Sequence, residues 1–561
     1  MKLPMPMVLV GILVGAVPAL MVSACGAPES SGQAKVARLA AYDVNPVPRE
    51  QVRTGGSLRW PLPEFPAQWN AHQANGAKGV VLDVIRGVLP VLMPTDEKGI
   101  PHPDPDYVLS AGVTRNAPQQ VVTYTLNPKA VWSDGTPITY RDFAAQGTAM
   151  SGRDKRFQII SSTGYDQIAR IERGRDDHQV VVTFDRPFAD WTGLFSPLYP
   201  AATGADPGVF NRGWLNRMPV TAGPFRLRSI DRTAKTVTIV RDPHWWGRPA
   251  KLDSIVYRAM DSGAIPGAFA NGEVDVLDIG GDASAYVRVK EVKGAAVRRA
   301  GGPDWRQLTL NAVRPPLSDL RVRQALALGI DRKAIAESDL KGLNWPIQTL
   351  GNHFFVNTQE GYHDNAGNLG GYDPVRAGRL LDAAGWARNG DHRTKEGRAL
   401  VLRMVVPSGM PGSKQEAELI QAMLEEIGVK VDIRSVPTDD LFDKYVSPGN
   451  FDIVPFSWLG TPFPVSSNRS VFAQPRGDRI QQNYARIGTT KIDDSMDQAI
   501  RELDPAKARQ LTNEVDRMVW QQVSVLPLYQ RPQLVGTRKN LANFGACGFY
   551  DLAYEDIGFT S

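Results

Sequence analysis

The chain has 561 residues, with 64 lysines and arginines against 59 aspartates and glutamates, a formal net charge of +5, and only two cysteines. This near balance, without a basic cluster interleaved with aromatics, excludes nucleic acid as a partner, and two cysteines exclude a disulfide scaffold. The length calls for several lobes rather than one.

The first element is an apolar run from Met5 to Met21 behind Lys2, interrupted by Pro6, Gly11, Gly15 and Pro18. It lies at the lower edge of the roughly 18 to 20 residues a spanning helix needs, so residues 1–24 read as a cleaved export signal. Val22-Ser23-Ala24-Cys25 resembles a bacterial lipobox, in which Cys25 is diacylated and becomes the first mature residue. Two acyl chains give stable anchoring where one does not. An uncleaved anchor helix would leave the body on the same side of the membrane. Residues 25–53 are rich in Ala, Ser, Gly, Pro and Gln without an apolar period and are expected to form a flexible tether. No later segment approaches spanning length without charge.

The body alternates strand and helix patterns. The β-branched runs Val121 to Leu126 and Val180 to Phe184 end in Asn127-Pro128 and Asp185-Arg186-Pro187, as strands do. Asp373-Pro374 opens a helix with Ala377, Leu380, Leu381 and Ala384 on one face, ended by Gly385. Ala417, Ile420, Met423, Leu424 and Ile427 share a helical stripe, Gly428 stops it, and Val429, Val431 and Ile433 then alternate as a strand, an α-to-β crossover. Asp504-Pro505 begins a further helix, and Val523 to Leu528 reads as a short buried strand. Cys547, left alone once Cys25 is assigned to lipid, sits in the small-residue turn Phe544-Gly545-Ala546-Cys547-Gly548, where packing is its role.

Catalytic patterns are missing. The seven histidines are scattered without metal-ligand spacing, and there is no nucleophile elbow, phosphate loop or dinucleotide turn. Acid pairs such as Asp104 with Asp106 read as solvated turns. No enzyme activity, cofactor or metal is expected. Aromatic residues near turns instead suit ligand enclosure.

Several strings resemble, in order, the family of peptide-type (family 5) extracellular solute-binding proteins of ABC importers. Gly55-Gly56-Ser57-Leu58-Arg59 is similar to that family's opening strand, and the segment from Trp132-Ser133-Asp134-Gly135 to Asp142-Phe143 to its best-known stretch. In the latter, Thr139 and Asp142 are expected to cap a helix. Thr221 to Phe225, Arg241 to Gly247, Gly272 to Asp275, Asp319 to Arg332 and Tyr372 to Trp386 follow as further landmarks. Through Trp132 to Asp142, Tyr372 to Trp386 and the ending Leu541 to Ala546, the chain is most similar to actinobacterial oligopeptide-binding lipoproteins.

The resemblance implies an α/β fold of the periplasmic-binding-protein type II-like kind, a two-lobed clamshell with an extra inserted subdomain. Residues 54–75, 214–300 and 485–561 would form the first lobe, 76–213 the inserted subdomain and 301–484 the second lobe. In peptide binders of that family a cleft strand ends in Trp-x-x-Asp, whose carboxylate receives the peptide's α-ammonium group. Here the run is Trp458-Leu459-Gly460-Thr461, and a neutral hydroxyl replaces the acid. A charge-assisted bond is thereby lost. The family's lining segments imply Phe65, Trp69, Asn70, Ser457, Trp458, Leu459, Gly460 and Thr461 as ligand contacts.

The expected function is that of a monomeric, lipid-anchored protein on the outer face of the cytoplasmic membrane. It would capture an oligopeptide or peptide-like small solute and deliver it to an ABC permease complex. The alternative is a non-transport envelope lipoprotein, a sensor or scaffold in cell-envelope biosynthesis.

Overall fold

A computed structural model describes residues 39–438, 440–477 and 480–560; the expected export signal, Cys25 and residues 26–38 of the expected tether lie outside them. The described remainder of the tether is packed. Asp43 and Ala546 exchange backbone hydrogen bonds of 2.7 and 2.9 Å, and Val44 and Val52 are buried. Asn45 donates to the Leu541 carbonyl, and Arg49 bonds Asp556. A few apolar anchors suffice because the backbone finds partners on the C-terminal segment, which composition does not register.

Gly55 and Gly56 enter the first strand at φ 105° and 89°, a region glycine adopts without the strain a Cβ brings. That strand, Ser57–Leu62, runs parallel to Ser254–Ala259, and the sheet continues through Thr236–Arg241 to Phe225–Asp231. An inserted antiparallel sheet has the order Val108–Arg115, Val121–Leu126, Gln179–Phe184, Ile168–Arg173, so the two β-branched runs are its central strands. Helix Tyr140–Met150 packs on it. Its capping box is the expected one: Asp142 Oδ2 accepts the Thr139 N–H at 2.8 Å, and Thr139 Oγ1 accepts from Arg141 at 3.3 Å. These two sheets share one apolar core that includes Leu58, Val122, Tyr124, Phe143 and Ile255.

In the second lobe, strand Val401–Pro407, helix Pro411–Glu426 and strand Lys430–Val436 form the expected crossover, the strands parallel with Leu402 opposite Val431. Ala417, Ile420 and Leu424 are buried beneath it. Asp373 caps Pro374–Ala383 by accepting from Arg376 at 2.8 Å, and Asp504 caps Pro505–Gln522 by accepting from Lys507 at 2.9 Å. The helices Thr490–Arg501 and Pro505–Gln522 lie in the stretch expected in the first lobe. They set Ile492, Met496, Val515 and Val519 against Trp305, Leu350 and Phe354 of the 301–484 stretch.

One six-stranded sheet spans both lobes, in the order Lys430–Val436, Val401–Pro407, Ile453–Leu459, Ala295–Leu310, Val525–Arg538, Val276–Asp278. The strand expected over 523–528 is longer than its apolar pattern. Val523 is left-handed at φ 47°, and the strand runs from Val525 to Arg538. The pattern breaks at Gln530-Arg531-Pro532-Gln533 because there the strand crosses between lobes, and pairing with Ala295–Leu310 lapses between Gly301 and Trp305.

Candidate ligand crevice at the hinge

The candidate site forms where these two strands cross. Gln530 bridges the lapse in pairing: its Nε2 donates to the Gly302 carbonyl at 2.7 Å and to Thr358 Oγ1 at 2.8 Å. The end of Ile453–Leu459 docks at the same place, with Trp458 opposite Trp305 and Leu459 opposite Asp304. The Gly460 N–H donates to the Pro303 carbonyl at 2.9 Å. A β-carbon at position 460 would lie 2.5 Å from that oxygen, so the approach requires glycine.

Five of the residues named from sequence thus gather on one strand end. Ser457 and Trp458 are half-buried, Leu459 is 68% exposed, and Gly460 is buried. Trp458 stacks on Tyr484 at 5.9 Å and 3°, and its Nε1 has no hydrogen-bond partner. The Thr461 hydroxyl donates to Ser467 Oγ at 3.0 Å and accepts the Phe463 N–H at 3.1 Å, so it is spent on the turn into helix Pro464–Phe472. Phe65 is half-buried against the first core. Trp69 and Asn70 are placed otherwise than expected, since neither retains accessible surface. The Trp69 carbonyl accepts from Tyr199 at 2.7 Å, and Asn70 Nδ2 donates to the Phe210 carbonyl at 2.9 Å. They join the inserted sheet to the first strand instead of lining a crevice, because the loop after Leu62 turns inward toward Trp214.

Sequence reasoning missed the charged groups at the crossing. Arg531 lies 3.5 Å from Asp304, and these side chains keep 38% and 37% of their surface accessible. Asp278 is exposed and forms no ion pair among the described residues. Near them Asp83 couples electrostatically to Asp278, and Arg86 bonds Asp551 at 3.0 Å. Partial burial pushes Asp83 up to about 6, against the pull of Arg86, and raises Asp304, with Arg531 offsetting part of the latter. Deeper in the second lobe, Glu416 Oε2 accepts from Arg306 Nε at 2.8 Å, and Tyr529 donates to Asp339 at 2.9 Å. The pair favours the Arg306 cation, yet burial holds Glu416 above the ordinary carboxylate range. Desolvation prevails at the glutamate, which keeps 2% of its side chain accessible against 14% for the arginine.

A hollow of about 1100 Å³ lies between residues 160–194 of the inserted subdomain and residues 461–501, with Thr461 on its wall. That volume suits a ligand of peptide size. Hydroxyl and carboxamide groups such as Ser161, Gln167, Ser470 and Gln482 line it together with charged side chains of both signs, among them Arg186, Arg469, Asp166 and Asp497. Its two sides are latched: Ser466 Oγ donates to Asp190 Oδ2 at 2.5 Å, and the Ala189 N–H to the Ile500 carbonyl at 2.8 Å. Burial pushes Asp190 up to about 6 although Ser466 holds it down.

Residues 105–479 match the sequence profile of the bacterial extracellular solute-binding proteins, family 5 Middle. The chain is 42% identical over 521 residues to the oligopeptide-binding protein OppA of Mycobacterium tuberculosis, covering 92% of this chain and 87% of that one. It is 30% identical over 336 residues to that organism's probable monoacyl phosphatidylinositol tetramannoside-binding protein LpqW, covering 58% and 52%. The periplasmic EDTA-binding protein EppA superposes with a TM-score of 0.84 at 26% identity, covering 93% of this chain and 99% of that one. The oligopeptide-binding protein AppA of Bacillus subtilis, solved with a nonapeptide, superposes with a TM-score of 0.75 at 16% identity, covering 91% and 100%, and bears on the fold alone.

Proposed function

Because this chain belongs to the bacterial extracellular solute-binding proteins of family 5, a family of binding proteins and not of enzymes, we propose that it captures oligopeptides or peptide-like solutes between its lobes and delivers them to an ABC permease. The observation that carries this reading is the candidate crevice at the hinge crossing, where the pairing of two strands lapses between Gly301 and Trp305 and the side chains of Arg531 and Asp304 keep more than a third of their surface accessible. We assign Ser457, Trp458, Leu459, Gly460 and Thr461 to its wall, with Phe65 at its margin. Against the expected bounds, core packing supports a first lobe of residues 54–75, 214–259 and 541–561 and a second lobe that takes in 265–295 and 490–530 besides 301–484, with 76–213 inserted. The lipid anchor is placed on Cys25, which holds the protein, as a monomer, at the outer face of the cytoplasmic membrane.

Native mass spectrometry of the purified full chain, followed by tryptophan fluorescence during peptide titration, tests the reading, since Trp305 and Trp458 flank the crossing. A co-purifying peptide and a saturable fluorescence change are expected. A chain that yields no peptide and responds to none from a randomised library refutes it.

A second reading is a non-transport envelope lipoprotein serving as sensor or scaffold in cell-envelope biosynthesis. It is supported by the likeness to LpqW and by the polar hollow beside Thr461. A stable complex with an envelope protein other than a permease, together with normal peptide uptake in a deletion strain, would favour it.

A further inference from the structure

The outer face of the first-lobe sheet carries cations that no group of the described protein answers. On strands Phe225–Asp231, Thr236–Arg241 and Ser254–Ala259 the side chains of Phe225, Val237, Ile239, Ile255 and Tyr257 are buried in the core. Alternation along a strand therefore turns Arg226, Thr238, Val256 and Arg258 to the other side. A bulge between Leu227 and Ser229 exposes Arg228 as well, and Arg232 and Lys235 stand exposed at the turn that joins the first two strands.

Strand pairing fixes how close these groups are. Arg226 lies opposite Val240, Asp231 opposite Thr236, and Thr236 opposite Arg258. Arg258 is thus two strands across and four residues along from Arg226, about 17 Å at ordinary strand spacing and rise. None of the five cations has an ion-pair partner among the described residues. Those at the margin are matched: Arg59 Nε donates to Asp275 at 3.0 Å, and Arg241 bonds Asp253 at 2.9 Å. Among the described residues the one carboxylate on the face is Asp231, which accepts the Thr233 and Ala234 N–H groups at 2.9 and 2.8 Å. Five cations against one acid on a single face compare with a formal excess of +5 for the entire chain.

The character of the face separates two classes of partner. Protein interfaces are anchored by aromatic and large apolar side chains at their centre. Between Phe225 and Ala259 no large hydrophobic side chain is exposed, and the middle of the face is made of Thr238, Val240 and Val256, which are short and half-buried. A flat array of arginines without an apolar anchor suits a surface that is itself an array of anions, as a layer of phosphate headgroups is. We infer that this face docks on an anionic lipid surface and lays the first lobe against the membrane, whichever solute the lobes take.

Sedimentation of the full chain with vesicles tests the inference, one set of phosphatidylcholine alone and one with about 30% phosphatidylglycerol. The neutral vesicles measure whatever the apolar N-terminal run contributes by itself. Partition onto the anionic vesicles should be at least about tenfold stronger in about 50 mM salt, and the ratio should fall toward unity near about 500 mM. Arg226→Gln combined with Arg258→Gln should remove most of the ratio. Arg212→Gln combined with Arg379→Gln lowers the net charge equally, at exposed positions of the inserted subdomain and the second lobe, and should leave it intact. Equal partition onto both kinds of vesicle overturns the inference and leaves the five cations to an acidic protein surface. A ratio that both double variants reduce alike overturns it too, because it then reports net charge and not this face.

Discussion

Replacing Asp190 with asparagine should stabilise the protein at neutral pH and leave it nearly unchanged in acid. Burial raises this carboxyl from its ordinary 3.8 to about 6, with Ser466 as its hydrogen-bond donor. A folded pKa above the unfolded one means that folding favours the protonated form. Below 3.8 the group is protonated in both states and carries no penalty; as pH rises toward 6 the folded state must hold a desolvated charge. Two units correspond to at most about 3 kcal/mol, complete above pH 6. Asparagine keeps an oxygen for Ser466 and removes the charge. Denaturant titrations of parent and Asp190→Asn at about pH 4 and about pH 7.5 measure the difference. The variant should gain stability only at the higher pH. A loss at pH 7.5 equal to or larger than that at pH 4 would show that the ionised carboxylate strengthens the latch, refuting the desolvation argument.

Gly460→Ala brings a β-carbon to 2.5 Å from the Pro303 carbonyl oxygen and should cost about 1–3 kcal/mol while weakening ligand binding; a variant as stable as its parent would contradict the close docking. Trp69→Ala should cost about 3–5 kcal/mol in thermal or chemical unfolding yet leave the ligand Kd of the folded fraction unchanged, and a changed Kd would return Trp69 to the crevice wall. Asp142→Ala removes acceptors for the Thr139 and Ala201 N–H groups and should lower stability by about 1–2 kcal/mol, read from the denaturant midpoint.

Local grammar was legible from the chain. The caps at Thr139, Asp373 and Asp504 and the buried stripe of Ala417, Ile420 and Leu424 lie where spacing puts them, because each depends on residues three or four positions apart. The crevice was only half legible. Trp458 to Thr461 are contiguous and stand together in the sequence, whereas Asp278, Asp304 and Arg531 are brought together by strand pairing across hundreds of residues. The one local trace was Gln530-Arg531-Pro532-Gln533, a polar interruption in a buried strand. Trp69 and Asn70 misled because an aromatic beside a turn has the same local pattern whether it faces ligand or core. Residues 39–53 misled because main-chain hydrogen bonds leave no compositional trace.

The Ala40 carbonyl accepts the N–H of Gly301, at the very place where the strands change lobes. Whatever precedes Leu39 therefore joins the folded body beside its rotation axis instead of at the far rim of either half. A load applied at an axle has almost no lever arm. If the lobes open and shut as proposed, they can do so without dragging the attachment point, and tension from the proposed membrane tether would exert little torque on the balance between the two states.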